Sequence, residues 1–223
     1  MAVFTKIGLD EINLIEKNFS IGKILNYSGI KKGIENTNYL IKSKKRKFIL
    51  TIFEKRVNSR DLPFFMKLMS GLAKSKIKCP KPVENKKGKY LFKLKGKNAC
   101  LVTFLEGKDK NNLNSKECFV IGKNIARLHN SSKKLRIFRK NSLSVNSWGP
   151  LLKKISRKIN KKFKDLTENM KIDCIQIKKL WPKKLPTGII HGDLFIDNIF
   201  FYKGRFHGFI DFYFSSNDYY AYD

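Results

Sequence analysis

Residues 188–214 read GIIHGDLFIDNIFFYKGRFHGFIDFYF, and their pattern decides the fold. Ile189 and Ile190 form a short apolar strand that delivers His191, Gly192 and Asp193 to a loop. Asn198 closes that loop just before a second apolar strand over residues 199–202. A turn near Gly204 and Arg205 returns the chain through residues 206–210 to Asp211. Counting outward from that turn puts Asn198 opposite Asp211 at the open end of an antiparallel hairpin, with Asp193 tethered to the same end by a four-residue loop. Asp and Asn are common at strand ends, so any one of the three taken alone reads as an ordinary turn residue. Taken together, framed by strands too apolar for a solvated surface, they read as a site.

Three oxygen-bearing groups at one place suit Mg²⁺, a hard cation that keeps several waters and takes one or two protein ligands alongside phosphate oxygens. Phosphoryl transfer needs that ion, and a carboxylate to orient the incoming hydroxyl and accept its proton. Asp193, on the loop and free to face an acceptor, is the candidate base; Asn198 and Asp211 are the candidate metal ligands. His191 reads as structural, fixing the loop through backbone hydrogen bonds, and His129 and His207 as packing or surface residues.

Upstream, Ile12, Ile15 and Phe19 recur at helical spacing, predicting a helix from Asp10, which would cap it. Residues 24–27, 37–41 and 47–53 read as strands. Asp61 and Pro63 open a helix with Leu62, Phe65, Met66, Met69 and Leu72 on one face, and residues 90–94 and 99–105 are two further strands. Beyond Gly107 the pattern turns helical: residues 117–129 with Cys118, Ile121, Ile125 and Leu128 on one face, residues 151–163, and a weaker segment over 172–180. The predicted architecture is α+β and bilobal, with an N-terminal sheet lobe over residues 1–106, a mainly helical lobe over 107–223, and a hinge at 103–107.

Forty-eight basic against 18 acidic residues give a net charge of +30, which by itself points to a polyanion partner. Lysine is spread through nearly every surface-like segment and accompanied by much Asn, Ile and Phe, so the bias reads as compositional drift of the whole chain. With no zinc finger, RNP-like aromatic motif or KH-type loop, no specific nucleic-acid partner is expected. The cysteines at 79, 100, 118 and 174 are too irregularly spaced for a zinc ribbon and read as buried free thiols. No stretch approaches the roughly 18 apolar residues of a membrane span, and the start lacks a signal peptide, so a cytoplasmic location without membrane attachment is the default.

HGDLFIDN at 191–198 followed by IDF at 210–212 resembles the catalytic signature of the aminoglycoside/choline kinase superfamily, itself distantly similar to protein kinases. GIENTNYLI at 33–41, KFILTIFEKR at 47–56, DLPFFMKLM at 61–69, LVTFLEG at 101–107, GKNIARLH at 122–129, NSLSVNSW at 141–148 and YAYD at 220–223 resemble one subfamily, bacterial homoserine kinase of the non-GHMP type, along essentially the whole chain. The resemblance implies MgATP-dependent phosphorylation of the side-chain hydroxyl of L-homoserine, in threonine biosynthesis, on a protein-kinase-like fold. It also implies a phosphate-covering loop with Gly33, Asn36 and Asn38, adenine held by the backbone of Thr103, Phe104 and Leu105, and support of the catalytic loop by Asp223. In that subfamily further helices follow Asp223, so the chain reads as C-terminally truncated.

Two departures stand out. Thr51 occupies the register where kinases of this fold carry a phosphate-binding cation, leaving Lys47 or Lys55 favoured by strand orientation over Arg56. The following helix, over residues 62–73, has no acidic partner for such a cation. Arg139, Asn141, Ser144 and Trp148, in a polar segment characteristic of the subfamily, read as helping to select the acceptor. The rival readings are a kinase of choline, a thiosugar or an aminoglycoside, and a noncatalytic pseudokinase that binds polyanions.

Overall fold

The computed structural model describes residues 3–33, 35–54, 57–156 and 163–223. Helix α1 (Leu9–Asn18) buries Ile12 and Ile15 against the outer face of a five-stranded antiparallel sheet. Its cap is Gly8, whose amide donates to the Glu11 carboxylate at 2.7 Å. Asp10, the expected cap, lies inside the first turn, where its charge complements the helix dipole.

The sheet comprises β1 (Ile24–Gly29), β2 (Thr37–Ser43), β3 (Lys47–Ile52), β4 (Leu91–Leu94) and β5 (Lys97–Thr103), in the order β1-β2-β3-β5-β4. Alternation along β3 sends Phe48, Leu50 and Ile52 to the α1 core, and Ile49 and Thr51 to the opposite, inner face. Under that face lies α2 (Leu62–Lys74). Its spacing predicts a single apolar face, but Phe64 and Leu68 are buried along with Leu62, Phe65, Met66, Met69 and Leu72. A helix apolar nearly all round is one enclosed between layers. Here the layers are β5, through Cys100 and Val102, and the second lobe, through Ile121, Leu128, Ile189, Phe201 and Phe209. One continuous core therefore runs through both lobes, each large apolar side chain in it contributing about 1.5–3 kcal/mol.

The second lobe contains α3 (Ser115–Ser132), α4 (Val145–Ser156) and α5 (Lys164–Leu180), then β6 (Thr187–Ile190), β7 (Ile199–Tyr202), β8 (Arg205–Phe209) and β9 (Ser216–Tyr219). Asn114 and Glu117 cap α3 reciprocally, each accepting from the other's amide. Helix α4 starts six residues before the expected 151, and the end of that expected helix, 157–162, lies outside the described residues. Cys118 is exposed and Cys174 half-buried, so only Cys79 and Cys100 fit the expectation of buried thiols. Cys118 lies one turn before Ile121, where α3 is exposed to solvent. The fold is bilobal α+β.

Candidate active site

The β7–β8 hairpin positions two of the predicted oxygen ligands, with a register one residue from the sequence count. Lys203 and Gly204, at φ +48° and +74°, make a two-residue turn centred one position earlier than Gly204 and Arg205. Tyr202 pairs with Arg205 and Phe201 with Phe206, but an irregularity between Phe200 and Phe201 shifts the pairing to Phe200 with Gly208. Asn198 therefore faces Ile210, whose amide donates to the Asn198 carbonyl at 3.0 Å, and Asp211 follows in a left-handed conformation at φ +61°. That local twist brings Asp211 back toward the loop.

Asn198 is buried, and its Nδ2 donates to the Asp193 carbonyl at 2.8 Å and to Asp193 Oδ2 at 3.0 Å. Enclosure by protein raises the Asp193 pKa, a shift opposed by the Asn198 hydrogen bond and added to by the charges of Asp197 and Glu35. Asp211 is pushed up to about 6 by the protein packed around its carboxyl and then by the neighbouring Asp193, although the residue as a whole is exposed to solvent, which weakens both effects. Asp193, Asn198 and Asp211 do converge, and among the described residues no Lys or Arg forms an ion pair with either carboxylate, in a chain of net charge +30. Glu35 acts on both from the β1–β2 loop. It was not singled out in the sequence, because only the fold carries that loop over the hairpin.

The donor set fits a hard divalent cation. The Asp193 charge that raises the Asp211 pKa would be relieved by positive charge, and an amide oxygen can complete the protein's share. Among the described residues no group of three or more His, Cys, Asp or Glu side chains is arranged to hold a metal ion, so such an ion would need water and phosphate for the rest of its shell.

The Asp223 side chain, fully shielded from solvent, holds the start of the loop over residues 191–198. Its carboxylate accepts from the amides of His191 and Gly192, both at 2.8 Å, and lies 2.8 Å from His129 Nε2. Those contacts keep Asp223 below the usual carboxylate range against the opposing effect of burial. His129 is thus a buried partner of that carboxylate. His191 is structural as expected, its Nε2 lying 2.8 Å from the Ile210 carbonyl in full burial that lowers its pKa. Gly192 is at φ +78°, a conformation strained for any side chain, and a Cβ would sit a tight 3.0 Å from the Phe214 carbonyl oxygen.

On the opposite wall, Gly33 is at φ +109° in the β1–β2 loop, with Asn36 and Asn38 following it. Asn36 Oδ1 accepts from the Glu54 amide at 3.4 Å and Asn38 Oδ1 from the Thr51 hydroxyl at 2.8 Å, so both asparagines brace the loop's return into β2. Lys32, in the same loop, pairs with Asp109 at 2.6 Å and ties the loop to the segment after Gly107. In the interlobe connection the Thr103 amide donates to the Lys81 carbonyl at 2.9 Å and the Phe104 amide to Lys47 at 3.1 Å. The Leu105 amide is engaged by no described residue.

Thr51 is buried and takes a hydrogen bond from the Tyr213 hydroxyl at 3.5 Å, so the register of the missing cation holds a small polar contact between lobes. Lys47 pairs with Glu106 at 3.0 Å, at the connection, and Lys55 and Arg56 lie outside the described residues. Arg139 directs Nε to Asp61 and Nη1 to the carbonyls of Phe214 and Ser215, contacts within the protein. Asn141 donates to Asp218, and Trp148 to the Leu143 carbonyl. Ser144 lines a cavity of about 410 Å³ with Asn146, Trp181 and Asp218. That cavity opens by Thr187 and Gly188, the start of β6, about a strand length from Asp193.

The profile of the phosphotransferase enzyme family matches residues 26–223. The chain belongs to this family. Among relatives, the phosphotransferase is 41% identical to the homoserine kinase of Nitrobacter hamburgensis over all 223 residues, spanning 68% of that protein, and 41% identical to the homoserine kinase of Agrobacterium fabrum, spanning 69%. Its fold matches a spectinomycin phosphotransferase solved with ADP and spectinomycin at a TM-score of 0.73 and 16% identity, covering 98% of this chain and 73% of that one. An amicoumacin kinase solved with AMP-PNP and Ca²⁺ matches at 0.74 and 15% identity, covering 96% of this chain and 66% of the other. At those identities the likeness is one of fold.

Proposed function

We propose that the phosphotransferase transfers the γ-phosphoryl group of ATP to the side-chain hydroxyl of L-homoserine. The observation that carries the phosphoryl-transfer reading is the convergence of Asp193, Asn198 and Asp211 without a neutralising Lys or Arg among the described residues. The acceptor rests on 41% identity to homoserine kinases along the whole chain. In this reading residues 1–106 hold the nucleotide, with Gly33, Asn36 and Asn38 shaping the loop over the phosphates and the backbone from Thr103 to Leu105 facing adenine. Leu105 offers the unengaged amide of that stretch. Residues 107–223 supply the chemistry.

Asp193 orients the acceptor hydroxyl and takes its proton as the oxygen attacks phosphorus. Asn198 holds the Asp193 carboxylate through Nδ2, fixing the direction of its acceptor lone pairs. Asp211, with the Asn198 amide oxygen, would hold Mg²⁺, which when bound draws charge from the phosphate oxygens. Asp223 keeps the loop backbone still, so the base is pre-placed.

ADP formation by the purified protein with MgATP, offered L-homoserine, L-serine, L-threonine, choline or no acceptor, tests this. Turnover with homoserine is expected, with D193A lowering kcat by about a hundredfold to ten-thousandfold and leaving the melting temperature nearly unchanged. Equal turnover with choline, or a D193A variant as fast as the parent, would overturn it.

A further inference from the structure

The ion pair missing from β3 and α2 has a counterpart elsewhere. Asp61, the residue before α2, bonds Arg139 Nε at 2.7 Å, and Arg139 comes from the second lobe, between α3 and α4. The same guanidinium donates through Nη1 to the carbonyls of Ser215 at 3.0 Å and Phe214 at 3.4 Å, four and three residues beyond Asp211. It lies over the Phe65 ring at 5.1 Å, and its side chain is only 14% exposed. The backbone is locked too: the Arg139 amide donates to Asn217 Oδ1 at 2.9 Å, and the Asn217 amide to the Arg139 carbonyl at 2.7 Å.

The segment it grips is a junction. Ser215 Oγ donates to the His191 carbonyl at 3.2 Å, reaching the catalytic loop. Tyr213 reaches up to Thr51 and Cys100 of the sheet, its ring edge-on to Phe53 and Phe65. A planar guanidinium can serve a carboxylate and two carbonyls at once in fixed geometry, which a lysine ammonium cannot.

We propose that Arg139 is a positioning residue for phosphoryl transfer, coupling α2 to the backbone that carries Asp211, so that the first lobe's position and the metal ligand's aim are set together. The helix is thereby referenced to the metal-holding segment instead of to a phosphate-binding strand cation. The proposal rests on the kinase reading above for the role of Asp211, and not on which acceptor is used.

Its test uses R139M, R139K and D61N in the 223-residue chain. Mg²⁺-dependent binding of a fluorescent ATP analogue, melting temperature, kcat and the KM for acceptor are measured. R139M is expected to raise the Mg²⁺ concentration at half-saturation about tenfold and lower kcat by about ten- to a hundredfold, with the acceptor KM within about twofold. R139K recovers part of this and D61N shows a smaller form of it, since the carbonyl contacts persist. If R139M does not fold, D61N carries the test, Asp61 lying nearer solvent. Variants that melt lower yet keep the parent's Mg²⁺ dependence and kcat would make Arg139 a brace only and overturn the proposal. A parent protein that binds MgATP but leaves homoserine untouched refutes the acceptor alone; one with no Mg²⁺-dependent nucleotide binding overturns both readings.

Discussion

At Asp211 a single carboxyl carries opposing demands. Its pKa, raised from 3.8 to about 6 by enclosure and by Asp193, means the folded protein prefers it protonated. The stability this confers is full below its ordinary pKa and lost as pH rises through about 6. The metal-free protein should therefore lose about 1 kcal/mol between pH 5 and 7 from this group, a figure reduced for its solvent-facing edge. D211N should abolish that component in thermal melts across pH and be the more stable protein at pH 7, while losing Mg²⁺-dependent nucleotide binding. A D211N protein with the parent's pH profile would show that the charge costs the fold nothing.

The elements meet where backbone approaches backbone. Gly107 leaves β5 for the second lobe at φ +122°, and a Cβ there would stand 2.6 Å from the Phe201 carbonyl. Next to it the Lys108 amide donates to the Phe201 carbonyl at 3.0 Å, and the Phe201 amide to the Lys108 carbonyl at 2.8 Å, joining the interlobe connection to β7. G107A combines a strained dihedral with a backbone clash, and should cost about 2–3 kcal/mol, read as a lower urea midpoint at an unchanged m-value. Should G107A melt like the parent, the connection is looser than this packing implies.

Over the whole molecule, +30 charges repel one another within a shell that few acidic residues interrupt. The screening length falls from about 30 Å at 0.01 M salt to about 10 Å at 0.1 M. Exposed pairs such as Lys47–Glu106 are each worth at most about 1 kcal/mol and weaken over the same range. Self-repulsion is the larger sum, so the melting temperature should rise by several degrees as NaCl increases from about 10 to 200 mM. A fall instead would mean that local pairing dominates.

By itself the sequence determined most of the elements and the meeting of Asp193 with Asn198 beside the β7–β8 hairpin, because both are written in short-range patterns: period 2 in β3, apolar spacing in α2, and two carboxylates and an amide around one apolar hairpin. The exact pairing of Asn198 was beyond it, because the turn falls at Lys203 and Gly204, one position early, and the irregularity at Phe200 and Phe201, which recovers part of that shift, leaves no mark in a run of aromatics. Strand β9 was missed for a related reason: Ser216, Asn217 and Asp218 have no strand-like composition, and their pairing with β6 and the Arg139–Asn217 hydrogen bonds are long-range contacts. Tertiary structure alone decided that Arg139 serves Asp61 across 78 positions, that the Glu35 charge acts on Asp193 and Asp211, and that α2 buries Phe64 and Leu68 beyond its predicted face. Those are long-range encounters of single side chains, and their energy depends on where the backbone has already gone.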